Sequence, residues 1–389
     1  LFINLIKLNL IRRLMMKKTL SLLISTAIII SLFGCSTGGG QNIASTQTTA
    51  AAAPTAAAVP APATAPAPAT APADTYSWKI AHQQVDNNSE DLYCEKFAEV
   101  LKDLSGGAIN VDVYVLGELG GGDSDQVEMC STGGIEFTVT DTATMSTFIP
   151  VYSMFDLHYL QPSDSLEMAN KVLHEGKAMS LLNEDLDAMG VVCLDFLAEN
   201  YKAWSTIKPI TKPDDFKGYK FRTMSSPMIQ ACYQQYGANT ITIPQSELYS
   251  ALQLGTADGQ TNSIISTYMN KYYEVQKYVI FAKQDIFTPV LISNKAFWDG
   301  LPDEVKGWVE EAVKEANANH YTTIYKRLDD AREAMIADGI EYIELTPEQI
   351  EVFRKAVEPV YDVYTNQFGD KAKELLNQYL EDRKEIAGY

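Results

Sequence analysis

This 389-residue chain is poor in the groups that carry covalent and redox chemistry. It holds five cysteines and four histidines, the latter at 82, 158, 174 and 320 with no spacing that a metal site uses. GxSxG, Walker A and HExxH patterns are missing, so no catalytic machinery, metal or cofactor is implied. Basic residues are scarce as well: 31 Lys and Arg stand against 50 Asp and Glu, for a formal charge of -19. A surface of that sign repels nucleic acid and anionic lipid, and it leaves a well-placed cation free to select a guest. The glycine-rich stretch LGELGGGDSD at 116–125 puts Asp123 and Asp125 at a helix mouth, where acids cap the helix and repel phosphate. It reads as a structural turn.

What the chain does have begins with a leader. MKKTLSLLISTAIIISLFGC, opening at Met15 or Met16, has a basic start, an apolar run of about a dozen residues and a small residue before a cysteine, the pattern of a secretory signal. The run is shorter than the roughly 20 residues a membrane span needs. Residues 1–34 are therefore expected to be removed, with LFINLIKLNLIRRL lying ahead of the true start. LFGC at 32–35 resembles the lipobox of bacterial lipoproteins, apart from the bulk of Phe33, and by that resemblance Cys35 becomes the lipidated first residue. Losing the leader removes Lys7, Arg12, Arg13, Lys17 and Lys18 and no acid, which takes the charge to 26 minus 50, or -24. Ser36 to Ala73 has neither charge nor aromatic ring and ends in APATAPAPATAPA, too little to bury for folding. Residues 35–75 read as a tether, spanning roughly 120 Å as polyproline II or roughly 35 Å as a coil.

Residues 76–389 exceed the size at which one core keeps growing, so two lobes are expected. Cys94, Cys130, Cys193 and Cys232 read as core thiols, with disulfides as the alternative. Alternating periods give strand SWKIAH, then a helix capped by Asn88 or Ser89 and stopped by Gly106, whose buried stripe is Leu92, Phe97, Val100, Leu101 and Leu104. Strand INVDVYVL, helix DSDQVEMCSTGG and strand IEFTVT follow. One helix covers SLEMANKVLHEGKAMSLLNEDLDAMG, ahead of strand VVCLDFL. The order is that of an α/β chain with crossover helices and parallel sheets. Residues 302–338 read as helical throughout and would reach roughly 55 Å, enough to brace both lobes, unless the helix breaks near Asn317 to Asn319.

YKFRTMSSPM at 219–228 ends a short strand on Arg222 and starts a helix at once, with Ser225 or Ser226 as N-cap and Pro227 in the first turn. The guanidinium thus sits at the carboxyl end of a strand beside helix N–H groups, where open α/β sheets hold ligands and anions are favoured. No carboxylate is near it in sequence. Its partner is either a guest anion or a distant Asp or Glu of the same chain.

FKGYKFRTMSSPMIQACYQQYGANTITIPQSELYSALQLGTADGQTNSIISTYMNKYYEVQKYVIF strongly resembles the solute receptors of TRAP transporters, the tripartite ATP-independent periplasmic family. KGYKFR, ELYSALQLGTADGQTN and YYEVQKY are its most specific pieces, and NKAFWDGLPDEVK and GAINVDVYVLGELGGG match the same family. The resemblance implies a two-lobed, periplasmic-binding-protein-like clam-shell, with lobe I mainly 76–200, lobe II mainly 201–285 and residues 286–389 shared. It implies a receptor outside the cytoplasm, not an enzyme, held to the membrane by its lipid. Such a receptor binds a small organic acid and delivers it to the small and large permease subunits; a same-fold receptor for a sensor kinase or chemoreceptor is the alternative.

In that family the arginine of the KxR segment pairs with the substrate carboxylate and the Asn of DGQxN binds the same group. Arg222 and Asn262 hold those positions, although Asn262 also reads as a cap ahead of Ser263. Where many members carry a second arginine, in the segment matching ENYKAWST, this chain has Lys202, which keeps the charge but loses the bidentate fork. Gln84, after WKIAH, and Thr140 with Asp141, after EFTV, fall at strand ends that face the same cleft or serve as loop and cap residues. Tyr201, Trp204 and Phe287 form apolar walls or belong to the core, and His82 and Gln284 are minor candidates.

Overall fold

The computed structural model describes residues 75–388, so the leader, Cys35 and nearly all of the tether lie outside the described residues. Strands β1 (Tyr76–Ala81), β2 (Ile109–Tyr114), β3 (Phe137–Asp141) and β4 (Val191–Phe196) belong to one sheet. A second sheet takes β5 (Asn200–Thr206), β6 (Lys220–Thr223), β7 (Asn239–Thr242), β8 (Gly259–Ser263) and β9 (Tyr278–Phe281). The chain then crosses back: β10 (Ile286–Phe287) still pairs with β5, whereas β11 (Pro289–Asn294) enters the first sheet between β3 and β4. β12 (Glu341–Glu344) closes the second sheet beside β9. The orders are β2-β1-β3-β11-β4 and β12-β9-β5-β8-β6-β7.

Neither sheet is wholly parallel, which corrects the sequence expectation. β1 runs parallel to β2 and β3, and β6 to β7 and β8, as helical crossovers require. β11 is antiparallel to both its neighbours, and β5 to β8 and β9, because each enters its sheet directly from the other lobe rather than over a helix. The two crossing segments lie side by side: Leu197 N donates to Pro289 O, Glu199 N to Phe287 O and Lys202 N to Asp285 O, all at 3.0 Å. This short ladder joins the two segments by which the chain passes between the lobes.

Helices cover the sheets. α1 (Ser89–Leu104) is capped by Asn88 and buries Tyr93, Cys94, Phe97 and Leu101, while Leu92 and Leu104 are exposed. Of the expected stripe, Phe97 and Leu101 are buried, while Tyr93 and Cys94 take the inward face in place of Leu92. α2 (Asp123–Ser131) and the single turn α3 (Thr142–Met145) flank β3. The stretch expected as one helix is α4 (Leu166–Glu175), a 3-10 turn over Ala178–Leu182 and α5 (Asn183–Met189). Gly176 makes the break: a Cβ there would lie 2.5 Å from Val172 O and 2.7 Å from the Asp382 carboxylate, which accepts from Ala178 N at 2.8 Å. Lobe II adds α6 (Pro227–Gln235), α7 (Gln245–Gln253) and α8 (Ile264–Met269), and the short α9 (Lys295–Gly300) follows β11.

α10 (Asp303–Ala337) runs unbroken for 35 residues, about 52 Å. Its first half packs Val309, Ala312, Val313 and Ala316 against Trp78, Phe97 and Leu291, and its second half packs Ile324, Leu328, Ala331 and Met335 into the core that holds Val279, Ile280 and Ile340. It therefore braces both lobes. No break occurs at Asn317 because its side chain is satisfied, donating to Asp195 Oδ2 at 3.1 Å and accepting from Asn170 Nδ2 at 3.0 Å. The sequence reading did not identify α11 (Pro347–Ala387), which starts at a Thr346/Gln349 capping box, kinks at Gly369 with φ of 76°, and drives Phe353 between Trp204, Phe216 and Tyr236.

Cys94, Cys130, Cys193 and Cys232 are free thiols, as expected, and no helix among the described residues is long and apolar enough to cross a membrane. Gly259 marks the closest backbone approach beside the cleft strands. A Cβ there would lie 2.9 Å from Ser205 O, 2.9 Å from Thr206 Cγ2 and 3.2 Å from Phe221 Cε2. Since the strand carbonyl has nowhere to go, Gly259→Ala is expected to destabilise the fold by about 1 to 3 kcal/mol, read as a lower midpoint in urea unfolding at unchanged slope.

Candidate functional site

The site forms where β6 ends. Phe221 and Arg222 pair with β7 on one side and β8 on the other, which fixes the arginine's backbone in the middle of the sheet and sends its side chain toward the crevice between the lobes. Ser226 caps α6 and Pro227 occupies its first turn, as read from the sequence. The helix that starts beside Arg222 at the cavity is α7, however: Pro244, Gln245 and Ser246 line the cavity with the guanidinium, and no side chain caps that helix. The cavity measures about 240 Å³. The 117–122 loop closes its far side through Gly121 and Gly122.

Arg222 is 3% exposed. Its Nε donates to Ile243 O at 2.8 Å, and its buried Nη1 meets no hydrogen-bond acceptor. Among the described residues no carboxylate lies within ion-pairing distance of it. Burial lowers its pKa below the usual arginine value, against the opposing influence of Tyr272, Asp141 and Asp123, but an arginine remains charged under all ordinary conditions. A dry cation with an unused N–H is unstable alone, and an incoming anion relieves it.

Lys202 is differently placed. Its ammonium contacts Asp285 at 2.5 Å with both side chains buried, and it lies 5.8 Å from the Phe287 ring centre. Burial works against its charged form, but Asp285, Asp156 and Asp141 outweigh it and hold its pKa above the ordinary lysine value. This cation already has a partner inside the protein. Trp204 is not a cleft wall: it is fully buried, donates to Tyr233 OH at 2.9 Å and packs on Phe216 and Phe353, because α11 brings Phe353 onto its face of the sheet. Tyr201 is buried against Phe281 rather than lining the cavity. Phe287 does line it.

Gln84 and Asp141 line the cavity from lobe I. Asp141 is also the N-cap of α3, its two oxygens accepting from Thr144 N at 2.9 Å and Thr144 Oγ1 at 3.1 Å. Thr140 is buried next to it with an unpaired hydroxyl. Gln84 Oε1 accepts from Gln245 Nε2 of the opposite lobe at 2.9 Å, and Asn262 Nδ2 donates to Gln245 Oε1 at 3.3 Å. Asn262 therefore reaches the cavity through Gln245, and the cap of α8 is Ser263, not Asn262. His82 is held by Asp91 at 3.2 Å, away from the cavity, and Gln284 is buried with both amide atoms unpaired.

Two lining residues escaped the sequence reading. In sequence Asp123 reads as a turn residue; it is Asp125 that accepts from Gly122 N at 2.7 Å, while Asp123 lines the cavity. A helix start needs one capping acid, and the second acid in DSD was the available signal. Gln245 is the other: an amide directly after the NTITIP strand end sits where a helix begins over the crevice. Among the described residues no cluster of three or more metal-binding side chains occurs.

The sequence pattern of the bacterial extracellular solute-binding protein family 7 matches residues 80–367. The C4-dicarboxylate-binding periplasmic protein DctP of Rhodobacter capsulatus is 30% identical over 293 residues, which are 75% of this chain and 87% of that one. Among solved structures, the periplasmic ectoine-binding protein of the TeaABC TRAP transporter of Halomonas elongata superposes with a TM-score of 0.76 at 28% identity, over 80% of this chain and all of the other. A TRAP periplasmic solute-binding protein of Desulfovibrio salexigens with bound orotic acid gives the same TM-score at 26% identity and the same coverage. A two-lobed fold whose chain crosses between lobes at 197–202 and 285–289, with a buried cation lining the crevice and a sequence match over most of the folded region, has one consistent reading: the chain belongs to family 7 of the bacterial extracellular solute-binding proteins, the non-catalytic solute receptors of TRAP transporters.

Proposed function

We propose that this receptor binds a small organic acid through its carboxylate, with Arg222 as the pairing cation, and delivers it to the small and large membrane subunits of a TRAP transporter. Cys35, in this reading, carries the lipid that holds the receptor at the outer face of the cell membrane. The supporting relatives include proteins named for C4-dicarboxylate and ectoine, and one solved with orotic acid. The observation that carries the reading is the unpaired Nη1 of Arg222 inside a cavity of about 240 Å³.

Closure follows from the same charge. Bringing the lobes together without a guest holds the guanidinium dry and unneutralised, which is costly, whereas a carboxylate converts that cost into a charge-assisted, bidentate contact. The ligand thus binds the closed form better than the open one, and only that difference shifts the population. Gln84 and Gln245 are placed to join the lobes as the cleft shuts.

A thermal-shift screen of small organic acids tests this. A cognate acid at a hundred times its Kd stabilises the folded state by about 2.7 kcal/mol, several degrees in melting temperature. The corresponding neutral amides are expected to give no shift. Equal shifts from acid and amide would overturn the carboxylate reading.

A further inference from the structure

The segment by which the chain first leaves lobe I, residues 195–199, is anchored by side chains from two helices. Ala198 N donates to Asn170 Oδ1 of α4 at 3.1 Å, Ala198 O accepts from Tyr321 OH of α10 at 3.0 Å, and Glu199 O accepts from His320 Nε2 at 2.8 Å. At its head sits the buried Asp195. Its oxygens accept from Tyr93 OH at 2.6 Å, from Asn317 Nδ2 at 3.1 Å and from His174 Nε2 at 2.9 Å, so one carboxylate joins α1, α10 and α4 to β4. Among the described residues no Lys or Arg lies within ion-pairing distance of it, which leaves the His174 imidazole as its counter-ion.

The four histidines divide by geometry. His82, His158 and His320 are buried, whereas the His174 side chain is 39% exposed and lines a cavity of about 340 Å³. Its Nε2 meets two acceptors, the Asp195 carboxylate and Phe196 O at 2.8 Å, so that nitrogen keeps its hydrogen in both protonation states and Nδ1 is the one that titrates. His174 also lies in the last turn of α4, where positive charge is favoured.

We propose that His174 and Asp195 form a pH-sensitive clamp, which tightens the lobe I end of the crossing segment when the imidazole takes a proton. A buried carboxylate without a fixed cation is costly, and a proton on Nδ1 turns its hydrogen bond into an ion pair. Burial opposes the charge, but Asp195, Phe196 O and Glu175 outweigh it and raise the His174 pKa above the ordinary imidazole value. The neighbouring charges are engaged elsewhere: Lys171 pairs with Glu175 at 3.7 Å on α4, Lys371 of α11 pairs with Asp185 of α5, and Asp382 of α11 accepts from Ala178 N and Gln378 Nε2. Lys177, in the turn after α4, is exposed. On the inner side burial keeps Tyr93 of α1 and Cys193 of β4 neutral and pushes His320 of α10 down to about 4. Since the folded pKa of His174 lies above the unfolded one, its contribution is complete below the ordinary imidazole range and is lost as pH rises through the folded value. A receptor outside the cytoplasm meets the pH of its surroundings directly, and the clamp makes lobe I firmer on the acid side.

The test follows the purified protein from about pH 5.5 to about pH 8. Wild type and His174→Gln are melted across that range. Glutamine keeps a neutral donor toward Asp195 but takes no proton, so the difference between the two proteins isolates the imidazole from the buried Asp156 and Glu199, whose carboxyl groups, raised by burial to about 7, titrate there too. The expected result is a wild-type advantage of about 1 to 4 °C at the acid end that vanishes at the alkaline end. By NMR, the imidazole signal missing from His174→Gln is expected to titrate above the ordinary imidazole range in wild type, and lower in Asp195→Asn. A melting difference that stays constant or grows with pH, or a wild-type imidazole that titrates at or below the free value, would overturn the proposal. The wild-type titration decides the matter even where Asp195→Asn fails to fold.

Discussion

Arg222→Ala is expected to weaken binding of the cognate acid by about 2 to 5 kcal/mol, roughly thirty to several thousandfold, in calorimetric titration. The size follows from what truncation leaves behind. A carboxylate drawn into the cavity loses its water, and with the guanidinium gone the lining offers no other free cation, because the Lys202 ammonium is held by Asp285. The empty protein behaves in the opposite sense. Arg222 is buried with an unpaired Nη1, so its removal takes away an unfavourable group together with one hydrogen bond to Ile243 O. The ligand-free melting temperature is therefore expected to hold or rise while the ligand-induced shift disappears. Arg222→Lys keeps the charge without the planar fork and is expected to fall between the two. A variant that loses stability but binds normally would mean that the arginine is a structural residue.

The second large effect lies where the chain crosses between the lobes. Asp285→Ala is expected to destabilise the fold by about 3 to 5 kcal/mol, since it strands the Lys202 ammonium among buried groups with only Asp156 and Asp141 in its surroundings. The double variant Lys202→Met with Asp285→Leu is expected to regain most of that loss, because a buried ion pair exchanged for apolar side chains of similar volume is often neutral or stabilising. Urea unfolding of wild type, Lys202→Met, Asp285→Leu and the double variant completes the cycle. If Lys202 instead served the ligand, Lys202→Met would remove binding with little change in stability. The pair sits where β5 and β10 cross between lobes, so the cycle also reports on the ladder that joins them.

Local chemistry made much of this legible in sequence. Asn88, Ser226 and Pro227 are end signals that act within a few residues, and the structure has them at helix starts. α10 was readable because its pattern is continuous and lacks proline. The antiparallel entries of β5 and β11 were not, since nothing within a strand records that its predecessor belongs to the other lobe. Gly176 looked like an ordinary residue in a helical run, because the Asp382 carboxylate that requires the gap comes from more than 200 positions away. The site divides the same way. Arg222 was found from its place between a strand end and a helix cap. Whether Trp204 walls the cleft or joins the core stayed open in sequence, because strand alternation does not say which face the distant α11 will cover. Lys202 carried the right charge, but its partner Asp285 lies 83 residues away. Asp123 and Asp125 look equivalent in sequence, and only the turn geometry gives one to the backbone and the other to the cavity.

In the proposed function a cation without an internal partner waits in the crevice for an acid anion. A crystal structure of the receptor with the acid that co-purifies with it tests this most directly. The expected result is a carboxylate oxygen within hydrogen-bond distance of Arg222 Nη1 in a closed cleft. A guest whose carboxylate lies elsewhere, with Arg222 turned onto Asp123 or Asp141, would contradict it.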